Sequence, residues 1–257
     1  MKKIAIGRLL FVILFCAAIA GCQPLNSSGT NNDILFQYST LGSLMAGVFD
    51  GEMTFAELEK HGDFGLGTFN ELDGEMIGFD DQVYQIKSDG VAYLVDDALK
   101  TPFSVVTHFE ADQTVSFTEP IDCEQLKAQL DSLLPTENIP YAIKLSGTFN
   151  TMQTRSVPRQ EKPYQTLPEV LETQPVFDFQ AVEGVMLGFR LPSYMEPVNA
   201  PGYHFHFITA DRAAGGHVLD CQVQEATVEI DHTDEWHVVL PGDDAFYQVE
   251  LSTEEYQ

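Results

Sequence analysis

Along most of this chain apolar and polar residues alternate one by one, the period of a β-strand with one face buried. The stretch "DDQVYQIKSDGVAYLV" (80–95) alternates on either side of Asp89-Gly90, a dipeptide that accepts the positive φ of a tight hairpin turn. "ATVEIDHTDEWHVVL" (226–240) alternates again. Helical period is rarer. "STLGSLMAGVF" (39–49) opens on Ser and Thr caps, and "TFAELEKHG" (54–62) starts at a Thr cap, carries Glu57 three residues on and stops at Gly. "CEQLKAQLDSLLP" (123–135) is the clearest helix, ended by its proline, and "LPEVLETQP" (167–175) has Pro at its start. The pattern predicts a mixed, strand-rich α/β fold.

Two stretches echo each other over a long interval. "FAELEKHGDFGLGTFNELDGEMIGF" (55–79) and "LPEVLETQPVFDFQAVEGVMLGF" (167–189) both run from a short acidic helix into strand and then into Gly-x-Met-x-Gly-Phe. Downstream, His108 in the first half falls roughly where a histidine pair falls in the second. The expected organisation is therefore two similar tandem α/β units with mixed or antiparallel sheets, 35–138 and 139–257. The spacing is far too long for a solenoid.

The first residues change the picture of where the protein works. Lys2, Lys3 and Arg8 flank "LLFVILFCAAIA" (9–20), an apolar run too short to span a bilayer comfortably, which reads as an export signal over 1–21. It ends in "IAGC", which resembles the bacterial lipobox and makes Cys22 the lipidated first residue of the mature chain. Residues 22–34 follow as a flexible polar tether. The expectation is an exported protein held by acyl chains on the cell envelope: the periplasmic face of the outer membrane in a two-membrane host, otherwise the outer face of the plasma membrane.

Charge then narrows the partners. There are 39 acidic against 13 basic residues, −26 overall, and the balance falls further once the three leader cations are removed. Such a surface repels nucleic acid. An anionic small molecule would need local positive charge to enter. Once Cys16 leaves with the leader and Cys22 is lipidated, Cys123 and Cys221 remain; an oxidising compartment permits a bridge, but the spacing does not decide whether they meet.

Candidate chemistry gathers in "GYHFHFITADRAAGGHVLDC" (202–221). Residues two apart in a strand share a face, so His204 and His206 project together while Tyr203, Phe205 and Phe207 face a core. "TADRAAGG" can turn the chain back, so that His217 faces the same way from the adjacent strand. Three imidazoles leave one corner of a tetrahedron open, as catalytic zinc sites do. Zn²⁺ is the first choice; iron, nickel, cobalt or manganese also suit three imidazoles. A cupin-like metalloenzyme competes, but its glutamate ligand is missing, since Thr209 and Ala210 stand there with only Asp211 near. An exported zinc-binding lipoprotein is the non-enzymatic alternative. His61, His108, His232 and His237 are read as surface or strand residues. There is no His-Glu-x-x-His helix, nucleophile elbow, P-loop or dinucleotide fingerprint.

Three long motifs carry a resemblance. "GDFGLGTFNELDGEMIGFDDQVYQI" (62–86), "TRSVPRQEKPY" (154–164) and "GYHFHFITADRAAGGHVLD" (202–220) together closely resemble bacterial α-acetolactate decarboxylases, in order, from about residue 34 to 246. The resemblance implies a two-domain α/β tandem with zinc on His204, His206 and His217, in the second unit and facing the first. It implies decarboxylation of 2-acetolactate to (R)-acetoin, with Glu75 and Arg155 as catalytic residues and Thr68 lining the substrate pocket. Zinc on the keto and hydroxyl oxygens would stabilise the enediolate left by CO₂, Arg155 would pair with the carboxylate, and Glu75 would deliver a proton. Arg159, Glu161 and Lys162 are read as a structural salt-bridge cluster. The family also carries a second active-site glutamate on a C-terminal extension; this chain ends in "VELSTEEYQ", where Glu250, Glu254 and Glu255 are the candidates and none aligns well. The partner expected is the small-molecule substrate, with the membrane touched only through the lipid and a homodimer left open.

Overall fold

The computed structural model describes residues 32–251. The leader, Cys22, Glu254 and Glu255 lie outside the described residues. Among the described residues no helix is long and apolar enough to cross a membrane.

In chain order the first elements are β1 (Ile34–Tyr38), α1 (Leu41–Met45), β2 (Met53–Thr54), α2 (Phe55–Leu58), β3 (Phe64–Thr68), β4 (Glu75–Phe79), β5 (Gln82–Ile86), β6 (Ala92–Leu94), β7 (Lys100–Thr101) and β8 (Ser104–Thr107). Then come β9 (Gln113–Phe117), β10 (Ile121–Asp122), α3 (Cys123–Leu133), β11 (Tyr141–Arg155), α4 (Leu167–Leu171), β12 (Val176–Leu191), β13 (Gly202–Thr209), β14 (Gly215–His232), β15 (Glu235–Val239) and α5 (Asp244–Gln248). The mixed, strand-rich α/β expectation holds. The helix starts follow their caps: Thr40 accepts from Ser43 N–H, and Thr54 and Glu57 form a reciprocal capping box before α2. The 80–95 stretch is a hairpin, with Gly90 at φ +79° in its turn.

One sheet has seven strands in the order β15-β1-β8-β3-β4-β5-β6, with β15 parallel to β1 and the other pairs antiparallel. In the second, antiparallel sheet β11 pairs β12, β12 pairs β13, β13 pairs β14 and β14 pairs β11, a closed cycle of four strands. The first-half strands β9 and β10 join this second sheet along β14, while β15 joins the first. The 226–240 stretch is accordingly not one strand. It breaks after His232, and β15 then carries Trp236 against the core between the two sheets.

Alternation sorts the side chains. On β4, Ile77 and Phe79 enter the core between the two sheets and Met76 enters the opposite one. On β12, Leu187, Phe189 and Leu191 enter the shared core and Met186 the core behind it. On β13, Phe205 and Phe207 face that second core and Ile208 the shared one. By the same two-residue period Glu75, His204 and His206 must face the space between the sheets. Cys123, the first residue of α3, is bonded to Cys221 of β14, tying the helix to the second sheet.

Candidate active site

The three histidines converge. Their ligand-capable nitrogens all lie within 4.8 Å of one another, and among the described residues no other group of His, Cys, Asp or Glu gathers so closely. His206 and His217 stand opposite each other in the β13–β14 ladder, and His217 is opposite Arg155 in the β14–β11 ladder. His217 owes its direction to a bulge. Asp220 pairs with Gln153 but Val218 with Thr154, so Leu219 is an extra residue. Cys221 and Val218, three apart, then both face the second core, and His217 turns to the other side.

The chemistry of each ring suits metal ligation. His206 is 1% exposed; its Nδ1 donates to the Met76 carbonyl at 2.7 Å, which fixes the proton there and leaves Nε2 as a lone pair. That Nε2 is buried with no hydrogen-bond partner. His204 Nε2 and His217 Nδ1 stand 3.1 Å apart, close to the roughly 3.3 Å expected between nitrogens 2.0–2.1 Å from a tetrahedral ion. Burial first, then the Arg155 guanidinium, pushes the His204 pKa down to about 4. Burial drives His206 and His217 well below the usual histidine value, reinforced by Arg155 and the neighbouring rings. Neutral imidazoles are what a divalent ion requires, so the donor set fits one.

Glu75 and Arg155 meet beside the rings. Their carboxylate and guanidinium form an ion pair, with the side chains only 7% and 13% exposed. The second carboxylate oxygen of Glu75 is 3.5 Å from His206 Nε2. Burial raises the Glu75 pKa, and Arg155 opposes that rise without cancelling it. The approach to Glu75 is strained: Glu71 and Leu72 hold φ of 61° and 52°, where non-glycine residues are disfavoured. Glu71 is held by its N–H to Phe49 O (2.7 Å), by Gln160 N–H on its own carbonyl (2.7 Å) and by an ion pair with Arg159. Gly74 follows at φ +93°, a position where a Cβ would run into the Ile86 carbonyl. Arg159 and Lys162, read as structural, indeed pair with Glu71 and Asp50; Glu161 is exposed and in neither pair.

These groups line one cavity of about 70 Å³. Thr68 is on its wall, and its hydroxyl donates to the Gly74 carbonyl at 2.7 Å, bracing the turn before Glu75. Glu250 is exposed and is not among the lining residues. The sequence reading missed the apolar wall, where Leu41 and Leu44 of α1, Leu72, Phe103, Val157 and Leu167 of α4 close the cavity. The helical spacing of Leu41 and Leu44 was its only signal, and it is the same signal an ordinary core residue gives.

Comparison with known proteins points to one family. The sequence model of the alpha-acetolactate decarboxylase family matches residues 35–253. The alpha-acetolactate decarboxylase of Methanosarcina mazei is 46% identical over 252 residues, 92% of this chain and 88% of that protein. That of Methylococcus capsulatus is 46% identical over 224 residues, 87% and 86% of the two chains. The crystal structure of alpha-acetolactate decarboxylase from Bacillus subtilis strain 168 superposes with a TM-score of 0.86 at 40% identity, covering 87% of this chain and 95% of that one. A family model that matches nearly all the described residues, and relatives 46% identical over most of both chains, show that this chain belongs to the alpha-acetolactate decarboxylase family.

Proposed function

We propose that the protein decarboxylates 2-acetolactate to (R)-acetoin, using a divalent ion, zinc by choice, held by His204, His206 and His217. The observation that carries this reading is the convergence of three neutral imidazoles on a small cavity that also holds Glu75 and Arg155. When bound, the ion supplies a Lewis acid for the keto and hydroxyl oxygens of the substrate.

The chain's own residues do the rest. Among the described residues Arg155 is the only Lys or Arg lining the cavity, and its fork suits the substrate carboxylate. It also answers the charge problem, because acidic groups on the surface are screened beyond about 10 Å. The leucine wall keeps water from the reacting carbon and accommodates the two methyl groups. When the bond to the carboxylate breaks, its electron pair stays on the carbon bonded to the hydroxyl and delocalises onto the former ketone as an enediolate. Glu75, its carboxyl biased towards the protonated form by burial, delivers the proton to one face of that carbon and so sets the product's hand. Water returns the proton to Glu75. Beside the triad the nearest carboxylate is Glu75, already paired with Arg155, which favours a site that keeps a position for substrate over a closed storage site.

The place of work is also a proposal: an exported, lipid-anchored enzyme on the cell envelope. The Cys123–Cys221 bridge supports this, since such bonds persist in oxidising compartments.

The test is colorimetric acetoin formation by the purified protein before and after chelation. Activity should be lost on chelation, return with Zn²⁺, and stay absent in His206→Ala whatever metal is added. Undiminished turnover by metal-free protein, or by His206→Ala, refutes the assignment.

A further inference from the structure

Arg155 sits between two buried hydroxyls that the mechanism above does not use. Thr154 and Ser156 are both fully inaccessible. In extended backbone they point away from the face that Arg155 uses. Thr154 Oγ1 donates to the Gly215 carbonyl at 3.0 Å, two residues before the ligand His217. Ser156 Oγ donates at 2.7 Å to the carbonyl of Ile86, the residue opposite Glu75 in the β4–β5 ladder. The Ser156 N–H is held as well, by the Pro175 carbonyl at 3.2 Å. One hydroxyl therefore ties the Arg155 backbone to the histidine strand of the second sheet, and the other ties it to the Glu75 strands of the first. The neighbouring Gly216, at φ +143°, allows the approach on the Thr154 side: a Cβ there would meet the Arg155 carbonyl and come within 3.1 Å of Thr154 Cβ.

We propose that Thr154 and Ser156 are positioning residues which fix the Arg155 guanidinium against Glu75 in the cavity it shares with the histidine triad, with Ser156 supplying the link across the sheets. Arg155 is the last residue of β11. Without the Ser156 hydroxyl this backbone is held by its pairings with His217 and Val176, the Thr154 hydroxyl and the Ser156 N–H on Pro175, and all of these lie in the second sheet or at its margin. A buried hydroxyl–carbonyl bond also leaves an unpaired acceptor when broken, which makes the loss local and directional. Displacements of about 1 Å in a substrate-orienting group can cost on the order of a hundredfold in rate. This inference rests on the substrate-binding role given to Arg155 above.

The test is a double-mutant cycle on metal-loaded protein, with metal content measured for every variant. Ser156→Ala should lower kcat/KM on acetolactate by about tenfold or more at unchanged metal content, and Ser156→Thr, which keeps the hydroxyl, should recover most of it. In an Arg155→Lys background the same Ser156→Ala change should have little further effect, because the residue acts through Arg155. Calorimetric binding of 2-hydroxyisobutyrate should weaken in Ser156→Ala, a readout independent of turnover. A Ser156→Ala enzyme within threefold of wild type overturns the proposal. So does an equal loss in both backgrounds, which would mark a merely structural role. Should Ser156→Ala fail to fold, Thr154→Val takes its place in the same cycle, and the same two results would overturn the proposal. Wild-type protein that binds 2-hydroxyisobutyrate but makes no acetoin refutes the function and leaves the positioning to be judged by the binding arm.

Discussion

Replacing Glu75 by Gln separates chemistry from architecture. The side chain is nearly inaccessible, paired with Arg155, and 3.5 Å from His206 Nε2. A positioned proton donor contributes roughly 10²–10⁴-fold to a rate, about 3–5 kcal/mol of barrier. At pH values where Glu75 is ionised, the same substitution also leaves the Arg155 charge without its counter-ion. Breaking a fully buried pair costs about 3–5 kcal/mol of stability. Here Arg155 retains 13% exposure and the glutamine carbonyl still accepts one hydrogen bond, so a loss of about 1–3 kcal/mol is expected. A domain with the usual margin of roughly 5–15 kcal/mol remains folded after that loss. The expected result is thus a Glu75→Gln protein that unfolds at a lower urea concentration, holds stoichiometric metal, and turns over acetolactate at least a hundredfold more slowly. Initial rates of acetoin formation at saturating substrate give kcat, and urea titration gives the stability. The raised pKa also sets the sign of the pH profile. A protonated Glu75 is required, so wild-type kcat holds on the acid side of that raised value and falls as pH climbs through it. Glu75→Gln should lack this limb. Metal-loaded Glu75→Gln within threefold of wild-type kcat would refute the proton-donor role.

Two further predictions concern the scaffold. The Cys123–Cys221 bridge spans 98 residues, which the chain-entropy model values at about 4.7 kcal/mol. Cys123→Ala/Cys221→Ala protein should lose about 2–5 kcal/mol in urea titration, and a loss under 1 kcal/mol would mean the bridge contributes nothing to the fold. Asp231 is buried beside Asp112, Asp33 and Glu110; burial, then those charges, pushes its pKa up to about 7 against an ordinary 3.8. The folded state then holds this proton more tightly than the unfolded one. Its stabilising contribution is full below about pH 4 and is lost as pH rises through 7. Asp231→Asn should therefore gain stability relative to wild type at about pH 8 and lose that advantage at about pH 4, and an advantage independent of pH would contradict the account.

How much could be read from the residues alone differs from one group to the next. His204 and His206 were legible because two residues in a strand share a face whatever surrounds them, and the Thr54–Glu57 capping box was legible because its contacts are local. His217 was placed correctly by a hairpin argument that did not contain the bulge at Leu219, without which the ring would point into the second core. The transfer of β15 to the first sheet was not legible: the polar run at 231–235 marks a break, but the alternation on either side of it carries no information about which sheet a strand joins. The apolar wall was hidden for a related reason: a leucine lining a substrate cavity and a leucine filling a core obey the same period. Glu250, which the sequence offered as a possible second acid, is exposed and outside the cavity lining.

The closed strand cycle has a consequence for how the site is assembled. Both ligand-bearing strands, β13 and β14, have neighbours on either flank, so the ladder bonds of the four-strand cycle, and not the ion, determine where the three rings stand. Such a cage is built before its occupant arrives. Binding energy that an unstructured site would spend on ordering loops is then available for affinity, and an ion can leave and return without the surrounding chain having to refold.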